Sequence, residues 1–294
     1  MDEDVIRKII REEIQANNAT IEQKIEYFTN LLPFATYMGD DIVLTKSYFN
    51  VMYLVYSHDS IVAPYLIKNG VYETELTKYL LNNIKADSVF VDVGANIGYY
   101  TCLAAKKIFS GKVFAFEANE MAYKLLQRNV MINWPNCPVL VENVAVGRTR
   151  GEVYFKNYKY RFVNSQILTG EEEGEINTGE IAKVPVIPLD EYFPMDQKID
   201  FLKVDVEGAE LDVLRGAKIT IENNPHLKIL MEWSVDQLKN QKTNPSDVLK
   251  FLSGHGFVPS QLDWKDGSST PISYEFIERK DYICSILFEQ PPTN

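Results

Sequence analysis

The stretch that most limits what this chain can become is VFVDVGANIGYYT, residues 89–101. An apolar strand ends on Asp92, a short turn carries Gly94 and Gly98, and a helix begins. In an open α/β sheet such a first strand–turn–helix faces the ligand beyond the carboxyl ends of the strands. A dinucleotide fingerprint needs a second glycine where the backbone closes on a pyrophosphate. This chain places Asn96 there and sets the Asp92 carboxylate at the strand end. Both features disfavour a phosphate and favour a cofactor bearing positive charge. S-adenosylmethionine, with an ammonium, a sulfonium and no phosphate, is such a ligand, although an adenosyl ribose is common to it and NAD. Gly94 and Gly98 are read as the tight-turn and close-approach positions, where a β-carbon would intrude, at Gly94 on the space the ligand occupies.

Downstream, Glu117 ends the second predicted strand, KVFAFE, where an acidic residue can accept hydrogen bonds from both hydroxyls of an adenosyl ribose. Its alternative role is an acidic charge before the next helix, favoured by the helix dipole. Asn143 and Val144 follow the third strand at the depth expected for an adenine, or form an ordinary loop. Alternating strands and helices continue from Asp87. Strands are expected over 89–93, 112–117, 139–142, 199–205 and 227–232, with helices over 98–109, 119–132 and 208–218. This pattern specifies an α/β fold, a mostly parallel sheet with helices on both faces. Residues 151–187 interrupt it, and two closing strands follow residue 256.

The segments DVGANIGYYT, FAFEANE, NVAVG, IPLDEYF and IDFLKVDVEGAELDVLRGA together resemble the FkbM family of S-adenosylmethionine-dependent methyltransferases, over about residues 70–260. The resemblance implies a Rossmann-like methyltransferase fold and O-methylation of a hydroxyl on a sugar, glycan or secondary metabolite. An alcohol acceptor needs a base within hydrogen-bond reach. Asp205 and Glu207, where the fourth strand ends in KVDVEGAE, and Glu232, ending the fifth in LKILME, are the candidate catalytic residues. Three clustered carboxylates also leave a divalent metal such as Mg²⁺ open. Glu210 is read as a helix-capping residue that also compensates the helix dipole.

The remainder of the chain frames this unit. Residues 1–60 are expected to add a helical and hairpin extension to the methyltransferase domain of residues 61–294. Ile6, Ile9, Ile10 and Ile14 suggest an amphipathic helix, as a lid or as a homodimer contact, and residues 36–56 suggest a hairpin turning near Gly39 and Asp40. The insertion interleaves Tyr154, Phe155, Tyr158, Tyr160 and Phe162 with Lys156, Lys159 and Arg161. It borders the acceptor site or serves as a core-facing hairpin; Trp233 and Trp264 are further stacking candidates. A net charge of −11 disfavours a nucleic-acid partner, leaving an RNA methyltransferase and a non-catalytic assembly partner as alternatives. With 46% apolar residues, no run of about 20 apolar residues, no secretory leader and three widely spaced cysteines, the chain is expected to be soluble, cytoplasmic and free of any membrane span.

Overall fold

A computed structural model describes residues 34–156, 166–167 and 181–291. The expected N-terminal helices, with their dimer or lid role, and most of the aromatic–basic part of the insertion lie outside these residues. The chain opens with an antiparallel meander of β1 (Ala35–Gly39), β2 (Ile42–Lys46) and β3 (Met52–Tyr56). Gly39, Asp40 and Asp41 turn it with φ of 89°, 50° and 59°. The expected hairpin is present and carries a third strand.

Helices α1 (Val62–Asn69) and α2 (Thr74–Asn83) lead to the first strand of the main sheet, β4 (Val89–Val93). Then follow α3 (Tyr99–Lys107), β5 (Lys112–Phe116), α4 (Glu120–Ile132) and β6 (Val139–Glu142). The insertion builds a small separate sheet from β7 (Ala145–Val146), β8 (Gly151–Lys156), β9 (Gln166–Ile167) and β10 (Ile181–Ile187). After the short α5 (Leu189–Tyr192) come β11 (Phe201–Val204), α6 (Glu210–Gly216), α7 (Lys218–Glu222) and β12 (Lys228–Ser234). The chain closes through α8 (Val235–Asn240), α9 (Pro245–Gly254), β13 (Val258–Leu262), β14 (Ser269–Pro271), α10 (Tyr274–Glu278) and β15 (Tyr282–Glu289).

The main sheet runs β14-β13-β15-β12-β11-β4-β5-β6. β12, β11, β4, β5 and β6 are parallel, and β15 is antiparallel between β12 and β13. Two apolar clusters sandwich it. One joins Phe90, Leu103 and Phe201 to the meander residues Val51, Tyr53 and Val55; the other joins Val91, Leu202, Leu214 and Phe288. Strands buried on both sides read as continuous apolar runs, as VFVDV and FLKV do. The expected closing strand pair is β13 with β15.

The meander is fastened through Asn129 of α4 and Asn133, which follows that helix. Leu54 N–H donates to Asn129 Oδ1 at 2.6 Å, and Asn129 Nδ2 returns a bond to Leu54 O at 3.0 Å. Asn133 repeats the pattern with Met52, at 2.8 and 2.7 Å. The two side chains thus supply the pairing that a neighbouring strand would give to β3.

Candidate functional site

The strand order reverses between β4 and β11: from β4 the chain proceeds outward to β5 and β6, then returns to β11 on the other side. Beyond such a switch point an α/β sheet leaves its ligand crevice. Register puts the candidate residues there. Val204 pairs with Val93 and with Met231, so Asp205 lies beside Gly94 on one side and Glu232 on the other.

The first turn is built tightly. Gly94 and Ala95 both donate N–H to Phe116 O at 3.0 Å. Gly94, Asn96 and Gly98 have φ of 76°, 50° and 86°, the left-handed region that favours glycine. A Cβ on Gly94 would lie 1.8 Å from the Asp205 carbonyl oxygen, and one on Gly98 2.4 Å from Leu126 Cδ1. The close approach expected from the sequence is therefore between parts of the protein's own framework, the ends of β4 and β11 above all.

Glu117 follows β5 and is buried, with Oε2 accepting from Asn96 N–H at 2.6 Å and Oε1 from Asn119 N–H at 2.7 Å. Each carboxylate oxygen keeps a further lone pair. Burial raises this carboxyl to about 7, against the two backbone hydrogen bonds. Helix capping falls instead to Asn119, whose side chain accepts from Met121 and Ala122 N–H. Asn143 is occupied in holding the same turn, donating to Glu117 O at 2.8 Å and Ala118 O at 3.2 Å. Val144 is half-buried against the second apolar cluster.

Asp92 is fully buried. Thr101 Oγ1 donates to its Oδ2 at 2.7 Å, while Oδ1 has no hydrogen-bond partner and faces the Lys203 ammonium at 3.5 Å. Burial raises the Asp92 carboxyl, and Lys203 opposes that rise. Lys203 also reaches Asp205 Oδ2 at 3.1 Å and Gly94 O at 3.5 Å, and sits 5.3 Å from the Tyr100 ring centre. Burial alone would lower its pKa; Asp205, Asp92 and Glu73 outweigh burial and raise it. The sequence reading missed Lys203, although a lysine inside the apolar run FLKV is a signal that a buried partner must exist.

Glu73, which no sequence pattern marked, joins the group from the start of α2. It has φ of 40°, and its Oε2 accepts from Tyr100 OH at 2.6 Å. Burial, then Asp205, holds it up at about 7. After β11, Glu207 has φ of 55° and accepts from the Gln237 side-chain amide. Burial raises it to about 9, with Asp205 and Glu232 adding to the rise. Glu232 lies at an irregularity in the β12–β15 pairing, between Met231 and Trp233, and stands at about 8 through burial and then Asp205. Such irregularities re-aim side chains. Asp205, Glu207 and Glu232 are thus neighbours, as expected. Glu210 is buried and accepts the Gly208 N–H at 3.0 Å, the backbone role expected of it.

Trp233 is not available for stacking: it is 1% exposed and donates Nε1–H to Lys280 O. Trp264 is exposed on the loop that Lys78 of α2 fastens, donating to the Trp264 and Lys265 carbonyls. Among the described residues no three His, Cys, Asp or Glu side chains are gathered as ion ligands, and none is assigned a metal. Nor is any helix among them long and apolar enough to cross a membrane.

Sheet order, switch-point turn and acidic strand ends define a Rossmann-like methyltransferase fold. The family model for the methyltransferase FkbM domain matches residues 92–259. The chain belongs to the FkbM methyltransferases, and its cofactor is S-adenosylmethionine. Among curated proteins it is 32% identical to Methyltransferase sdnD of Sordaria araneosa over 164 residues, 47% of this chain and 63% of that protein. It is 30% identical to Methyltransferase 1 of Beauveria bassiana over 196 residues, 60% of this chain and 76% of that protein. It is 26% identical to the hexuronic acid methyltransferase AglP of Haloferax volcanii over 185 residues, covering 62% and 68%. The match to sdnD thus spans less than two thirds of that relative's length.

The turn fits this cofactor. Asn96 Oδ1 is an acceptor with no hydrogen-bond partner, and the Glu117 carboxyl, with spare lone pairs, lies beside it. That set suits a ligand rich in donors and positive charge, and repels a phosphate.

Proposed function

We propose that the protein is an O-methyltransferase acting on a hydroxyl of a sugar, glycan or related polyhydroxylated metabolite. The observation that carries this reading is the placement of Asp205, one residue beyond β11, beside the Gly94 turn and ion-paired to Lys203 at 3.1 Å. The name of the Haloferax relative adds support for a sugar acceptor.

In this reading Glu117 receives the ribose hydroxyls, Asp92, Asn96 and the turn glycines form the wall beside the cofactor, and Asn143 with Val144 borders the adenine. When bound, S-adenosylmethionine supplies an activated methyl group. The chain's part is to align the acceptor hydroxyl and to take its proton. Positioning contributes much of the rate in such a transfer. Asp205 is the base. Glu207 and Glu232, standing at about 9 and 8, are largely protonated at neutral pH and orient the acceptor as hydrogen-bond donors.

The test is incubation of the purified chain with methyl-labelled S-adenosylmethionine and an extract of its source cells, separated into glycan, small-molecule and RNA pools. Label is expected in the glycan or small-molecule pool. Label confined to RNA overturns the reading.

A further inference from the structure

The inference deepens the O-methyltransferase reading and rests on it: the walls of the acceptor side fix the charge of the group that can lie there. Its carboxyl groups arrive from independent parts of the fold. Glu73 precedes α2, Asp205 and Glu207 follow β11, and Glu232 projects from β12. The register that sets Asp205 beside Glu232 makes this convergence a property of the sheet.

Among the described residues, Lys203 is the one basic side chain ion-paired to this group. Its side chain is 5% exposed and shared between Asp92 and Asp205, so its charge is already matched. An incoming carboxylate or phosphate would lie against Asp205, whose ion-paired cation among the described residues is Lys203, already shared with Asp92. It would raise the energy of every ionised form present.

A neutral polyol meets the opposite situation. Protonated carboxyls donate hydrogen bonds to its oxygens, ionised ones accept from its hydroxyls, and Tyr282, hydrogen-bonded to Glu232, adds a hydroxyl at the half-exposed rim. A protonated amine would relieve the repulsion among the carboxyls outright. Burial and mutual proximity already hold Glu73 at about 7, Glu232 at about 8 and Glu207 at about 9. The site is thus short of positive charge before any acceptor arrives.

We propose that the unit held against Asp205 is a neutral or amino sugar ring, or a polyol of that kind, and that uronates and phosphorylated rings are excluded from that position, in contrast to the acid for which the Haloferax relative is named. The methyl is therefore an ether on a hydroxyl, not an ester on a carboxylate.

The experiment starts from the labelled products of the full chain. The glycan and small-molecule pools are split, one half treated with mild alkali and the other hydrolysed to single units and resolved by electrophoresis at neutral pH. Label that survives alkali and migrates with neutral or cationic units supports the proposal. Label released by alkali as methanol, or migrating with anionic units, overturns it while leaving sugar methylation standing. Label absent from both pools overturns the sugar reading itself, and the charge assignment with it.

Discussion

A base for an alcohol must be held where the hydroxyl will lie, and at Asp205 the holding group is the Lys203 ammonium, 3.1 Å away. Asp205→Asn keeps the side chain's shape and removes its ability to take a proton. Turnover is expected to fall by about 10²–10⁴-fold, the usual contribution of a general base. Calorimetry should show S-adenosylmethionine still binding; near-normal turnover would hand the role to another group. Glu117 is expected to act on the other side of the balance. Glu117→Ala should weaken cofactor binding by about 1.5–3 kcal/mol, the range for hydrogen bonds to a charged group, with a smaller change in turnover at saturating cofactor. An unaltered cofactor affinity would leave Glu117 as a brace for the Asn96 and Asn119 amides alone. That bracing was not visible in the sequence, which marks Glu117 by its spacing from the glycines but cannot show which backbone donors fold back on it. Glu73 was hidden for a similar reason, since its position depends on a left-handed backbone and a partner, Tyr100, 27 residues away.

At the scale of elements, strand and helix spans were legible because burial on both faces writes continuous apolar runs, and Asn119, where the second expected helix begins, caps α4 with its side chain; the helix that Asn244 caps was not read. The third meander strand and the break between α6 and α7 were not, because each depends on what packs beside it. The reason for Gly94 also changed. From the sequence its missing side chain reads as room for a ligand, whereas the fold uses that room to bring β4 and β11 together. Gly94→Ala is therefore expected to lower the melting temperature of the cofactor-free protein, through both the 1.8 Å approach to the Asp205 carbonyl and the φ of 76°. Thermal scans with and without S-adenosylmethionine check this; unchanged melting without cofactor would restore the ligand-space explanation.

For the whole molecule, the buried carboxyls make stability depend on pH in an unusual direction. Glu73, Glu117 and Glu210 stand at about 7, Glu232 at about 8 and Glu207 at about 9, each from an ordinary value of 4.5 and each chiefly through burial. A folded-state pKa above the unfolded one means that the folded chain binds more protons across that interval. The associated stability is complete below about 4.5 and is lost as pH climbs through about 7 to 9. Melting temperature of the cofactor-free protein should fall steadily between pH 6 and 9; a flat or rising profile would mean that these carboxyls are better solvated than their burial indicates. The attachment of the meander has a consequence of another kind. Asn129 and Asn133 grip main-chain atoms of Leu54 and Met52, so the grip is blind to which side chains those positions carry. Sequence change in β3 is then restrained by packing and by the Tyr53 hydroxyl, which donates to Tyr99 O at 3.0 Å, while the two asparagines are fixed by geometry. The β3 backbone is thus held whatever side chains those two positions carry, while the core that Val51, Tyr53 and Val55 share with Phe90 and Leu103 keys the meander to this enzyme.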